Sequence, residues 1–376
     1  MTSRHLRPSR QGANRRGALT FLVLLFLMTA VFLVMLVLNW NWLVLNNRDI
    51  QRRSDILALS AVERLLDEQL PEDRAGEQWD DKIQAEDGVD WMRRANNRVA
   101  PPSSKLDSKN VTVIPGRVAS VESPVFFSDT PYNALRVELH RYATGPNPVL
   151  MLMRGFGFDD AADITTVGVA CLDSRVVGFR PTSTVATPLA PLAIRASAWF
   201  ADRPAGGTDS NLNNVLELDV VLRPFGSDGL ANGALVDVGQ TLPLNLQGIP
   251  DLVRSGVLPS DLADPVFGPA TPGSPLSLQA SNVSPTNTDM IVKAFDDVAN
   301  DAVDTRRIFP IYQGPFVQPL NVVGFVAASV LSAENIGGTA DQLCVTVEPA
   351  FLVHFTAETD PGVPENIYIH KIRLVQ

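Results

Sequence analysis

Residues 18–38 read ALTFLVLLFLMTAVFLVMLVL, from Ala18 to Leu38. This run of 21 residues carries no charge and is rich in Leu, Val and Phe. As an α-helix it would extend ~30 Å, the thickness of a bilayer's hydrocarbon core. Trp40 and Trp42 follow at once, the residue type that sits at a membrane–water interface. Arg15 and Arg16 stand just before the run, with Arg4, Arg7 and Arg10 further upstream and no acidic residue among the first 17. Positive charge is retained on the cytoplasmic side, so this flank predicts an N-terminus inside and everything after about residue 45 outside. A cleaved signal peptide has a shorter apolar core and small residues at its cleavage site. Asn39-Trp40-Asn41-Trp42 does not fit that pattern, so an uncleaved anchor is expected.

The helical pattern continues beyond the apolar run. Ile50, Leu57, Ala61, Val62, Leu65 and Leu66 recur at near-helical spacing, while Arg48, Asp49, Arg52, Arg53, Asp55, Glu63 and Arg64 fill the remaining surface. Neither Gly nor Pro interrupts the chain from residue 18 to residue 70, and Pro71 is the first strong breaker. One long helix over residues 18–70 is predicted. Its outer half carries a narrow apolar stripe that needs a partner helix or the chain's own domain to pack on. Ile50, Leu57, Ala61, Val62 and Leu65 are the residues expected to mediate helix association.

The chain has 376 residues, 45 % of them hydrophobic and 19 % charged, so most of it is expected to fold. Its 28 prolines and 25 glycines favour many short elements over a helix bundle. Five of the 31 basic residues precede the apolar run, leaving 26 against 41 acidic side chains after it. An acidic body repels phosphates, which excludes nucleic acid as its partner.

Residues 71–105 are polar, with Trp79 and Trp91 isolated among charges, and read as a neck or linker ending at Pro101-Pro102-Ser103-Ser104. Strand signals dominate from there. Residues 134–141 set Leu135, Val137 and Leu139 against Arg136, Glu138 and His140. Further strands are predicted over 149–153, 165–172, 214–223, 324–331, 342–348, 351–355 and 366–375. Short helices are predicted over 250–258, with Pro250 in its first turn, and over 288–301, with Asn287 or Thr288 as N-cap. Residues 264–285, rich in Pro, Gly and Ser, are expected to form an exposed loop. The fold class expected is mainly β and sandwich-like, with a few inserted helices, over residues 106–376 as one domain or two subdomains, preceded by the long helix.

No pattern for a catalytic or phosphate-binding site is found: H-E-x-x-H, G-x-S-x-G, C-x-x-C and both glycine-rich phosphate loops are missing. Three of the four histidines, His140, His354 and His370, lie in strand-like runs and read as ordinary strand residues. Asp159, Asp160 and Asp163 lack the regular spacing of a calcium loop and read as solvated. No metal, cofactor or enzymatic activity is expected. Cys171 and Cys344 are the only cysteines. An exported pair suggests a disulfide. Against it, Cys171 shares a face with Val167 and Val169, whereas Cys344 lies opposite Leu343, Val345 and Val347.

The N-terminal pattern Arg16-Gly17-Ala18, the apolar run, Asn47-Arg48-Asp49-Ile50-Gln51 and Ala58-Leu59-Ser60-Ala61 resemble the TadE/TadG-type proteins of Tad (tight adherence) pilus systems. The segments Asn133-Ala134-Leu135-Arg136-Val137, Asn147-Pro148-Val149, Val167-Gly168-Val169-Ala170, Gly178-Phe179-Arg180-Pro181 and Asp237-Val238-Gly239 are similar to the body of the long TadG-like members. So is the short helical piece around Leu252. Processed pilins carry Glu at the fifth position after the cleaved Gly; Leu22 stands there, so the resemblance implies an intact anchor. No D-x-S-x-S metal-site motif of the kind some members carry is present. The resemblance implies a pilus-associated or envelope structural role. The partners expected are membrane lipid, other pilus or envelope proteins and like helices. An anchored adhesin or lectin-like module is the alternative, and an envelope hydrolase a more distant one.

Overall fold

A computed structural model of the protein describes residues 11–66, 81–99, 105–118, 132–145, 148–153, 159–202, 209–213, 215–222, 231–239, 248–269, 276–281, 285–302, 304–314, 319–336 and 343–375. Two helices come first, α1 at Gln11–Val62 and α2 at Asp81–Val99. The strands β1 (Val111–Gly116), β2 (Ala134–Arg141), β3 (Val149–Leu150), β4 (Ala161–Ala162), β5 (Ile164–Asp173), β6 (Val176–Phe179), β7 (Leu192–Arg195), β8 (Leu218–Leu222) and β9 (Gly233–Val236) follow. After them come α3 (Ile249–Ser255), β10 (Leu276–Leu278), β11 (Ala280–Ser281) and α4 (Pro285–Ala299). The chain then forms β12 (Arg306–Gln313), β13 (Leu320–Asn335), β14 (Leu343–Pro349), β15 (Leu352–Val353), β16 (Ala357–Thr359) and β17 (Ile369–Leu374).

The chain divides into two units. The first comprises Met1–Leu57, Asp90–Thr112 and Val137–Gly168, and the second Ala58–Val89, Val113–Arg136 and Val169–Gln376. Five strands form one sheet in the order β1-β2-β5-β17-β15, and β3 with β4 and β16 with β6 form two-stranded ribbons.

The larger sheet, wholly in the second unit, closes on itself. Strand β13 pairs antiparallel with β12, β12 parallel with β7, and β7 antiparallel with β9. Strand β9 then meets β8 in parallel, β8 pairs antiparallel with β14, and β14 returns antiparallel to β13. The result is a six-stranded mixed barrel, where the sequence led us to expect a sandwich. Closure satisfies the strand edges that an open sheet would leave bare. On β8 the buried Leu218, Val220 and Leu222 alternate with exposed Asp219 and half-buried Val221, so one face fills the core. Strands β9 and β12 are covered on both faces, with Gly233 to Val236 and Arg307 to Tyr312 all buried. Gly233 sits where β7, β9 and β8 converge, paired with Ile194 and Leu222, and a Cβ there would lie 2.5 Å from Val220 Cγ1. The interior at this layer is full.

Helices α3 and α4 also belong to the second unit. In α4 the apolar side chains Ile291, Ala294, Phe295 and Val298 recur at helical spacing and are buried, many of the helix's neighbours being on β13. Helix α3 has Pro250 in its first turn and ends at Gly256, whose φ of 74° favours glycine. The Arg307 guanidinium donates to the carbonyls of Val253 and Arg254, both at 2.9 Å, and so caps the helix from the barrel wall.

Several expectations are corrected by these elements. The helix predicted to reach residue 70 ends at Val62 in a 3-10 turn, and Leu66 is already extended; residues 67–70 lie outside the described ones. Part of the predicted neck is helical, as α2. Helix α4 begins at Pro285, so Asn287 and Thr288 lie within its first turn rather than capping it. The predicted exposed loop over 264–285 contains β10 and β11, with Leu276 and Leu278 buried. The disulfide is absent: Cys171 on β5 and Cys344 on β14 are buried free thiols in two different sheets.

Burial pushes the Cys171 thiol up to about 11 and the Cys344 thiol up to about 12, with nearby acids adding to the effect: Asp173 for the first, Asp219 and Glu334 for the second. Both thiols should therefore resist maleimide at pH 7.5 until the chain is unfolded. Intact-mass measurement before and after denaturation checks this, and a native adduct or a disulfide would refute it. At the crowded barrel layer, Gly233→Val should cost ~1–3 kcal/mol through overpacking, read as a lowered thermal midpoint by calorimetry.

Candidate functional site: the long helix and an apolar groove

Helix α1 changes character along its length. From Leu19 to Leu38 its large apolar side chains are exposed almost without exception, with Phe26 at 73 % and Leu19 at 69 %. The helix is long and apolar enough to cross a membrane. At 52 residues it measures ~78 Å, far more than one bilayer needs. Arg15 and Arg16 fall within its first turns. Trp40 is 66 % exposed.

Coverage by the chain itself begins at Asn39. Its side chain is 2 % exposed and pairs with the backbone of Met153 in both senses. Asn39 Nδ2 donates to the Met153 carbonyl at 3.2 Å, and Asn39 Oδ1 accepts from the Met153 amide at 2.8 Å. One turn on, Trp42 Nε1 donates to the Leu150 carbonyl at 2.8 Å. About three turns on from Asn39, Gln51 Nε2 donates to the Val167 carbonyl at 2.7 Å and to Asp55 Oδ1 at 2.8 Å. Beside it, Gly168 of β5 touches the helix backbone directly. A Cβ on Gly168 would lie 2.5 Å from the Ser54 carbonyl. Polar side chains of α1 thus hold strand and hairpin carbonyls at three levels of the first unit, with a glycine at the closest approach.

The residues expected to mediate helix association are buried by the chain itself. Ile50 and Leu57 are buried in the first unit, and Ala61, Val62 and Leu65 in the second. Of the two supports expected for the stripe, a partner helix or the chain's own domain, these residues pack on the chain's own. In the second unit, α2 crosses the end of α1 at Gly88, where a Cβ would lie 2.8 Å from Arg64 Cγ.

The second unit carries a groove of ≈ 730 Å³. Phe200, Ile311, Val323, Phe325 and Ile367 supply apolar walls, and Asn321 and Glu365 add polar groups. Phe200, Val323 and Ile367 are exposed, and a Cβ on Gly324 would meet open space. Asn366 Nδ2 donates to the Phe325 carbonyl at 2.6 Å, fixing the segment that forms one wall. The size falls within the usual range for small-ligand pockets.

The titratable residues singled out from sequence have local partners. His140 lies beside Glu138 and Thr165 with its ring stacked on Tyr142. Burial pushes His354 and His370 down to about 4, so both are neutral at pH 7. Asp163 accepts from the Ala143 amide, and the Asp160 carbonyl accepts from the Met151 amide at 3.0 Å. Burial alone would raise the Asp173 carboxyl, but hydrogen bonds from Arg175 and Thr359 outweigh it and hold it below the usual carboxylate range. Among the described residues, no group of three or more His, Cys, Asp or Glu side chains is placed to hold a metal ion.

Sequence reading marked α1 and its tryptophans but missed Asn39, Gln51 and Gly168 as attachment points. The only signal for them is a polar or small residue at each contact, which is too common to single out. Gly168→Val should force the helix off the strand at a cost of ~1–3 kcal/mol, detected as faster proteolysis within α1; unchanged cleavage would refute the contact. Comparison with known protein families, with curated proteins and with solved structures finds no match for this chain.

Proposed function

We propose that this chain is a membrane-anchored, non-enzymatic structural or assembly protein whose strand-rich body lies outside the cytoplasm, in a Tad-type pilus or a related cell-envelope system. The observation that carries the reading is the abrupt change along α1. Its apolar side chains stand uncovered through Leu38, the chain first buries a residue at Asn39, and a recurring buried stripe sets in from Ile50 through Leu65. A helix that leaves so much apolar surface bare in water is costly, at ~25 cal/mol for each Å², and a bilayer removes that cost. The arginines ahead of the apolar run and the tryptophans after it support the orientation. The similarity of Arg16-Gly17-Ala18 and the segments after it to TadE/TadG-type proteins supports the pilus assignment.

A second reading, an anchored ligand-binding module of adhesin or lectin type, is favoured by the groove around Phe325. Its test is a ligand that binds the full chain and is lost on Val323→Glu, a change at an exposed position.

The deciding experiment measures the protein in its native membrane. External protease should release the body and leave a protected fragment that contains Ala18–Leu38, and the undigested protein should have the mass of the intact chain. Digestion that leaves no protected fragment would refute the anchored reading. A mass beginning at Ala18 would instead point to a processed, filament-incorporated subunit.

A further inference from the structure

The segment Val149–Met153 reads Val-Leu-Met-Leu-Met, five apolar residues in a row. Buried apolar runs of this kind form core strands. Here only Val149 is buried, while Leu150 is 43 % and Leu152 50 % exposed. The segment is nonetheless held firmly. Its Leu150 carbonyl takes the Trp42 indole N–H, and Met153 takes both polar atoms of the Asn39 amide. Val149 and Leu150 pair antiparallel with Ala162 and Ala161. All of these residues belong to the first unit.

The two attachment points give the segment a direction. From Leu150 to Met153 it steps from the level of Trp42 to the level of Asn39, about one helical turn, or ~4.5 Å, toward the apolar run. Asn39 is the residue immediately after Leu38, the last of that run. Around the rest of the helix at this level, Leu36, Val37, Leu38 and Trp40 are exposed. Two stretches distant in sequence therefore bring uncovered apolar side chains to the same level of α1.

We propose that Val149–Met153 is a second membrane-contacting element, which presents Leu150 and Leu152 to the boundary between headgroups and acyl chains of the bilayer that α1 crosses. The inference rests on the anchored reading of α1. Bilayer lipid is the occupant because the segment is fastened to the helix at the end of its hydrocarbon-length run. Three of its backbone polar groups, the Leu150 carbonyl and the Met153 amide and carbonyl, are taken by Trp42 and Asn39, and the Met151 amide by the Asp160 carbonyl, which suits a non-aqueous setting. With a second contact fixed at one level, the first unit cannot swing about the helix exit, and its height above the membrane is set.

The test uses the full chain reconstituted in phosphatidylcholine–phosphatidylglycerol vesicles. An environment-sensitive NBD probe is attached to Leu152→Cys, to Leu150→Cys and, separately, to Leu33→Cys in the middle of the apolar run. The unsubstituted chain, whose two thiols are buried, sets the labelling background. The expected result is a blue-shifted probe at Leu152 and at Leu150, quenched at least twofold by lipid spin-labelled near the headgroup and little affected by aqueous iodide. The Leu33 probe should be quenched most by lipid labelled deep in the acyl chain. A lipid-quenched Leu33 probe with iodide-accessible Leu150 and Leu152 probes would overturn the second contact and leave the anchor intact. Probes at Leu150 and Leu152 shielded from iodide but unquenched by lipid would mean that protein covers the segment, and would equally overturn it. A Leu33 probe that lipid does not quench would remove the anchored reading and this inference together.

Discussion

The first unit depends on how Asn39 is satisfied. An amide side chain on the buried face of a helix carries a donor and an acceptor, and leaving either unpaired costs ~1–3 kcal/mol. Met153 answers both atoms through its own backbone amide and carbonyl. That single match fixes which residue of the hairpin segment meets which turn of α1. Trp42 and Gln51 add their own bonds to carbonyls of the first unit, about one and three turns on from Asn39. At the last of these levels the packing becomes close enough that Gly168 leaves no room for a side chain against Ser54. Polar pairing sets the register and the glycine sets the separation; apolar burial of Ile50 and Leu57 supplies the bulk of the driving force.

In the second unit the equivalent constraint is closure. Six strands of mixed direction form a ring only if each finds its neighbour, and the steps from β12 to β7 and from β14 to β8 join segments far apart in the chain. Such pairings make folding depend on long-range contacts, which slows it. Once closed, the barrel needs small residues where strands converge, which is the role of Gly233. The helices are then fitted to a finished wall: Arg307, projecting from β12, takes the last carbonyls of α3, while α4 lays Phe295 and its neighbours on β13.

These constraints explain what could be read in the sequence. Strand β2 was legible to the residue because its Leu and Val positions alternate with Arg, Glu and His over its whole length. Helix α1 was legible because its composition leaves no other reading through Leu38. Strands β7 and β9 were not, since four residues buried on nearly every side show no period, and β12 was hidden in the same way. Among its described residues, helix α2 buries one apolar side chain strongly, Val89, beside a glycine at its crossing with α1, and its sequence stripe is too sparse to stand out among charges. The sandwich expectation failed because strand content and spacing are the same for a sandwich and a barrel; the difference lies in whether β14 returns to β13. The groove is assembled from segments more than a hundred residues apart, and no local pattern marks it.

The position of Asn39 has a further logic under the anchored reading. A backbone segment brought to the hydrocarbon boundary loses water as a partner, and each unpaired amide or carbonyl there costs several kcal/mol. An apolar residue at position 39 would extend the apolar run by one residue and leave the Met153 amide and carbonyl without the partners that Asn39 gives them. A charged residue would satisfy at most one kind of group and would itself resist burial. Asparagine, with an NH2 donor group and a carbonyl acceptor on a short stem, satisfies both at once. The residue that ends the apolar run in sequence is thus the first that the chain buries in space.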